Sequence, residues 1–263
     1  MGFTNRVGEI NKTKESLGGY TIIIVEDNGY NDLIVEFQDK YKAKVHRSYK
    51  EFKNGNIKNP YHPSVYNVGY FGVGKYKAKE NGIVSKEYDE WKGALRRCYN
   101  EKEREKSPTY KDAYVCEEWH NFQVFAEWWE ENIYECRGEK MQLDKDIFIK
   151  NNNIYSPETC LIVPQRINQL FNKSKNNKKN NLPIGVFDNP NRSGVGYCAR
   201  CRIYENEKSK SVYLGLYNTP EEAFLVYKNF KENYIKQVAD EYEKLIPREL
   251  YKAMYEYEIE IDD

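Results

Sequence analysis

Arg200 and Arg202 stand two positions apart in the run from Tyr197 to Ile203. On an extended strand that spacing turns both guanidinium groups to one face, with Tyr197, Ala199, Cys201 and Ile203 on the other. Guanidinium groups read guanine edges and lysines hold phosphates, so this face, with Arg192 and Lys210 nearby, suits duplex DNA. An isolated pair of arginines is ordinarily a solvated face; here it has basic company. From Gln165 to Tyr213 ten basic residues oppose three acidic ones, Lys173, Lys175, Lys178 and Lys179 among them. From Ala239 to Asp263 nine acids oppose three bases. The formal net charge of +0 hides this asymmetry, and a polyanion is drawn to the first stretch and repelled by the second.

The other chemistry-bearing residue types are thinly spread. The three histidines are His46, His62 and His120, and none follows position 120. His120, at the start of a helix, reads as a surface or capping residue, and His46 and His62 have no ligand partners at recognisable spacing. The six cysteines (Cys98, Cys116, Cys136, Cys160, Cys198, Cys201) read as reduced thiols. Only Cys198 and Cys201 have a C-x-x-C spacing, and on a strand they face opposite sides, so zinc is not expected.

The elements that must position these residues follow from pattern. Residues 1–60 read as a small β-barrel-like module, with strands over Ile22 to Val25, Leu33 to Phe37 and Tyr41 to Val45. Residues 61–84, rich in Pro and Gly, form a connector. Tyr88, Trp91, Leu95 and Cys98 recur at helical spacing over Ser85 to Asn100, and Phe122, Phe125, Ala126 and Trp129 do so over His120 to Ile133. Met141 to Ile149 and Ile154-Tyr155 form a hairpin, and Gln165 to Phe171 begins a helix, giving a β-hairpin followed by a helix. Residues 173–181 are a solvated basic linker. Residues 182–240 then hold three strands (Ile184 to Phe187, Gly196 to Tyr204, Ser211 to Tyr217) and a helix from Pro220 to about Ala239. Thr219 as N-cap, Pro220 and Glu222 mark its start. Residues 241–263 form an acidic tail. The fold class is α+β, with a three-stranded sheet packed on one helix at the C-terminal end.

Two resemblances add to this reading. Ile184-Gly185-Val186, Tyr197 through Ile203, Tyr213-Leu214-Gly215-Leu216-Tyr217 and Thr219-Pro220-Glu221-Glu222-Ala223 with Tyr227 resemble the plant ethylene-response-factor DNA-binding domain over about residues 182 to 238. The resemblance implies that Arg200, Arg202 and Tyr213 occupy sheet positions that touch DNA. That family usually carries tryptophan where this chain has Tyr197 and Tyr213.

The stretch Trp91 to Asn172 resembles a phage branch of the HNH endonucleases. The matching elements are Trp91, Arg97 and Cys98; Val115, Cys116 and Trp119; Gln142-Leu143-Asp144-Lys145-Asp146; and Tyr155-Ser156-Pro157-Glu158-Thr159-Cys160. By that resemblance Asp144 and Asp146 stand where a divalent metal such as Mg²⁺ is held, Lys145 stands at the position of the general-base histidine, and Thr159 replaces an asparagine. An ammonium repels a metal and has no lone pair to take a proton, so the ordinary HNH route is not expected to operate.

The sequence therefore leads to a phage-type protein that binds double-stranded DNA, carries a degenerate HNH-like unit and needs no cofactor for binding. An active metal-dependent endonuclease using Asp144, Asp146 and Glu158 with a non-histidine base is the first alternative. The second is a protein partner held by the N-terminal module or the acidic tail. With no apolar run of about 18 residues, no membrane is expected to take part, and the host cytoplasm is the expected location.

Overall fold

The computed structural model describes residues 5–171, 182–189, 196–205 and 208–261. It is mixed α and β and divides into two compact units, residues 1–131 with 153–156, and residues 132–152 with 157–263. None of its described helices is long and apolar enough to cross a membrane.

The first unit begins with strands β1 (Ile10–Lys12), β2 (Thr21–Asp27), β3 (Leu33–Phe37) and β4 (Lys44–Arg47), an antiparallel meander in that order. Ile22, Ile24, Leu33, Val35 and Phe37 alternate onto one face and meet Phe52 of helix α1 (Tyr49–Lys53) and Ile57. The barrel-like module is thus an open sheet covered by a short helix. The strand β1 is not among the three expected from sequence, and the last of those three begins at Lys44 as β4, three residues later than the expected Tyr41. The Asp39 carboxylate accepts the N–H groups of Tyr41 and Lys42, and Lys42 takes a left-handed φ of 49°, so the chain is still turning there.

A two-stranded hairpin, β5 (Lys79–Glu80) and β6 (Ile83–Val84), leads into α2 (Lys86–Tyr99), which Ser85 caps by accepting from Tyr88 N at 3.3 Å. Helix α2 buries Trp91, Ala94, Leu95 and Cys98, and is followed by α3 (Glu101–Lys106), β7 (Tyr114–Val115) and α4 (Phe122–Asn132). The Trp91 indole N–H donates to the Trp119 carbonyl at 2.6 Å. Arg97 turns inward, its Nε donating to the Tyr155 hydroxyl at 2.8 Å.

In the second unit, β8 (Met141–Asp144) pairs antiparallel with β10 (Leu161–Pro164), and α5 (Gln165–Leu170) follows. The ββα order expected from sequence is present, but the hairpin partner differs. Ile154-Tyr155, which belongs to the first unit, forms β9 and pairs in parallel with β7 there. The Asp144 carboxylate accepts from Asp146 N and Ile147 N and bends the chain away, ending the first strand five residues sooner than the sequence suggests.

The chain ends with β11 (Val186–Asp188), β12 (Tyr197–Glu205) and β13 (Lys208–Tyr217), an antiparallel sheet in that order, then α6 (Pro220–Tyr242) and α7 (Arg248–Tyr255). Thr219 caps α6, accepting from Glu222 N at 3.2 Å. The helix runs three residues beyond Ala239. The acidic stretch after it is folded, as Leu250 and Met254 of α7 are buried and Ile259 is fastened by Lys228 and Glu232 of α6.

Candidate nucleic-acid interface

The sheet of the second unit acquires two unlike faces from strand alternation. Val186, Ala199 and Cys201 are buried beneath α6, whose Ala223, Tyr227, Tyr234 and Ile235 face them. This is the face that the sequence assigns to packing. Gly185 makes the fit possible: it has φ of +77°, and a Cβ there would lie 2.1 Å from the Tyr227 ring.

Arg200 and Arg202 are exposed on the opposite face. Register sets Arg200 directly across from Tyr213, which is 57% exposed, and Arg202 across from Ser211. The Arg200 guanidinium also lies 6.0 Å from the Phe187 ring centre. A bulge holds Tyr213 in that phase. Ala199 pairs with Gly215 and Arg200 with Tyr213, so Leu214 is the extra residue. Lys210 pairs with Ile203, which puts it in phase with the helix-covered face rather than beside the arginines. Arg192 and the linker residues Lys173, Lys175, Lys178 and Lys179 lie outside the described residues.

Sequence reasoning misses Lys231. The inward stripe of α6 runs Ala223, Tyr227, Lys231, Tyr234, Val238, and Lys231 is only 7% exposed at its centre. Burial lowers its pKa, against a smaller opposing pull from Cys201. The spacing of four from Tyr227 is the signal that points to it; Phe230, the apolar residue beside it and the more obvious core position, is half-buried.

The residues that the expected nuclease resemblance singles out have other partners. Lys145 is 5% exposed. Its Nζ donates to the Asn152 carbonyl at 2.5 Å and to Asp146 Oδ1 at 2.6 Å, while Asn152 Nδ2 donates back to the Lys145 carbonyl at 3.0 Å. The ammonium thus closes the loop between β8 and β9. Asp144 Oδ1 accepts from Asp146 N at 2.8 Å and Ile147 N at 2.7 Å. Burial raises the Asp144 pKa from its ordinary value and the neighbouring Asp146 adds to this, against those two N–H groups and the Lys145 charge. Thr159 is half-buried with its hydroxyl 4.0 Å from Cys160 Sγ, and Glu158 is exposed.

Among the described residues no group of three or more His, Cys, Asp or Glu is placed to hold a metal ion. With an ammonium drawn in beside Asp146 and one Asp144 oxygen committed to the turn, the donor set suits Lys145 better than a divalent cation. His120 is engaged elsewhere: its Nε2 lies 3.1 Å from the Val115 carbonyl. Cys198 and Cys201 are both buried and fall on opposite phases of β12. No family model, no curated protein and no solved structure matches the chain.

Proposed function

We propose that this chain binds duplex DNA through the outer face of the β11–β13 sheet, and that its ββα unit is a structural remnant rather than a nuclease. One observation carries the first part: Arg200 and Arg202 are exposed on the face of β12 turned away from α6, with Tyr213 across from Arg200. A three-stranded sheet backed by a helix presents such side chains to the major groove as a rigid array, the guanidinium groups meeting guanine edges and the tyrosine offering an apolar ring and a hydroxyl. The lysine-rich linker supplies sequence-independent phosphate contacts.

The second part rests on Lys145. Its ammonium is built into a buried loop closure, so it does not act as a proton acceptor there. The protein is then a DNA-bound regulator, scanning factor or competitor for a site.

Gel shifts with Arg200→Ala/Arg202→Ala test this reading. Because both side chains are exposed, the variant keeps the wild-type melting temperature, and binding to its preferred duplex weakens by about 1 to 3 kcal/mol for each bidentate arginine–guanine pair removed. Unchanged affinity in the folded variant removes the sheet as the reading face.

A further inference from the structure

We infer that the hairpin β5–β6 of the first unit is a second DNA-contacting element, a basic ribbon that enters a groove tip-first, with Ile83 on one face and Val84 on the other. The inference rests on the DNA-binding reading but uses residues remote from it in sequence. Lys79 pairs with Val84 and Glu80 with Ile83, and the turn between them is Asn81-Gly82 with φ of 50° and 82°. Two consecutive left-handed residues are what a tight two-residue hairpin requires.

The ribbon is bare on both faces. Every residue from Lys79 to Val84 is exposed, Ile83 at 74% and Val84 at 44%, and Val73 at the foot is 58% exposed. Isolated two-stranded hairpins are marginal in water, yet this one has a fixed root. Tyr76 N donates to Gln123 Oε1 at 2.9 Å, Gln123 Nε2 donates to the Tyr76 carbonyl at 3.0 Å, and the Tyr76 hydroxyl donates to Glu130 at 2.6 Å. On the other leg, Ser85 N donates to the Ala78 carbonyl and the chain passes directly into α2. The result is a held stem with a free tip.

Charge identifies the occupant. Between Val73 and Lys86 four lysines (Lys75, Lys77, Lys79, Lys86) oppose one acid, Glu80, and all four lysines are exposed. Lys75 is paired with Glu130 at 2.7 Å. A polyanion offering both phosphates and apolar base surface matches this combination. A two-stranded ribbon fits the major groove, where thymine methyls meet apolar side chains such as Ile83 and Val84 just behind the Asn81-Gly82 tip.

The test uses the full chain in gel shifts across a salt series, with hydroxyl-radical footprints. Lys77→Ala/Lys79→Ala lowers affinity several-fold and flattens the log K against log[salt] slope by about 1.8, two phosphates at about 0.9 each. Ile83→Ser/Val84→Ser lowers affinity about three- to tenfold with the slope unchanged, and shortens the footprint. If both variants bind with wild-type affinity, slope and footprint while Arg200→Ala/Arg202→Ala binds weakly, the hairpin inference fails and the sheet reading stands. Weakened binding in the hairpin variants alone supports the hairpin and removes the sheet. Failure of the wild type to bind any duplex overturns both. Hairpin-dependent binding to phosphatidylserine vesicles, with DNA binding unaffected, assigns the ribbon to a membrane surface and overturns the inference.

Discussion

Lys231 and Lys145 are two buried ammonium groups with opposite circumstances, and they predict opposite responses to substitution. Lys145 has an acceptor carbonyl from Asn152 and a carboxylate from Asp146. Shortening it to His, as a restoration of the nuclease pattern would require, leaves the Asn152 carbonyl without that donor. Lys145→His/Thr159→Asn therefore melts several degrees below wild type, a destabilisation of about 2 to 3 kcal/mol, whatever cleavage it gains. Lys231 sits under the sheet, with burial lowering its pKa. The unfolded chain, with a lysine pKa near 10.4, then binds more protons than the folded one at pH values between the two. Stability from this residue rises with pH through that window, and its cost is fully present below the folded pKa. Lys231→Met is expected to melt at or above the wild-type temperature at pH 7, with the difference shrinking as pH approaches 10. A difference that grows with pH contradicts this account.

At the scale of elements, the sheet and α6 depend on close backbone approach. Gly185→Ala adds a Cβ 2.1 Å from the Tyr227 ring at a φ of +77°, so strain and collision combine. Thermal melts are expected to show a drop of several degrees and weaker DNA binding, whereas Gly29→Ala, with nothing within 4 Å of its Cβ, shows only the backbone cost. The linker acts differently. Substituting Lys173, Lys175, Lys178 and Lys179 by Ala should lower affinity uniformly across sequences and flatten its salt dependence; a slope identical to wild type contradicts a phosphate role. Most of these elements are legible in the chain. Periodicity marks α2 and α4, Thr219 with Pro220 marks the start of α6, and the two-residue period of β12 separates arginines from core. The end of α6 is not, because its last turn is held by tertiary contacts: the Tyr242 hydroxyl bonds the Glu139 carboxylate, and Arg137 lies 4.4 Å over the Tyr242 ring.

For the whole molecule the sharpest prediction concerns catalysis. Pure protein with supercoiled plasmid and Mg²⁺ or Mn²⁺ is expected to shift the DNA without nicking it. Robust metal-dependent nicking by the wild type, abolished in Asp144→Ala, would sink the remnant reading and restore the endonuclease one. By itself the sequence determined the α+β class, the short-range elements and the two faces of β12, because these follow from side-chain period and local capping, which act within a few residues. Tertiary structure decided what the sequence left open. It paired β8 with β10 and sent Ile154-Tyr155 to β7, where the Tyr155 hydroxyl meets Arg97, since strand partners are chosen by long-range packing. It folded the acidic C-terminal stretch, because Ile259 finds Lys228 and Glu232 across 31 and 27 residues of chain. It also set Lys145 where the Asn152 carbonyl and the Asp146 carboxylate converge on its ammonium, which offsets the cost of burying it.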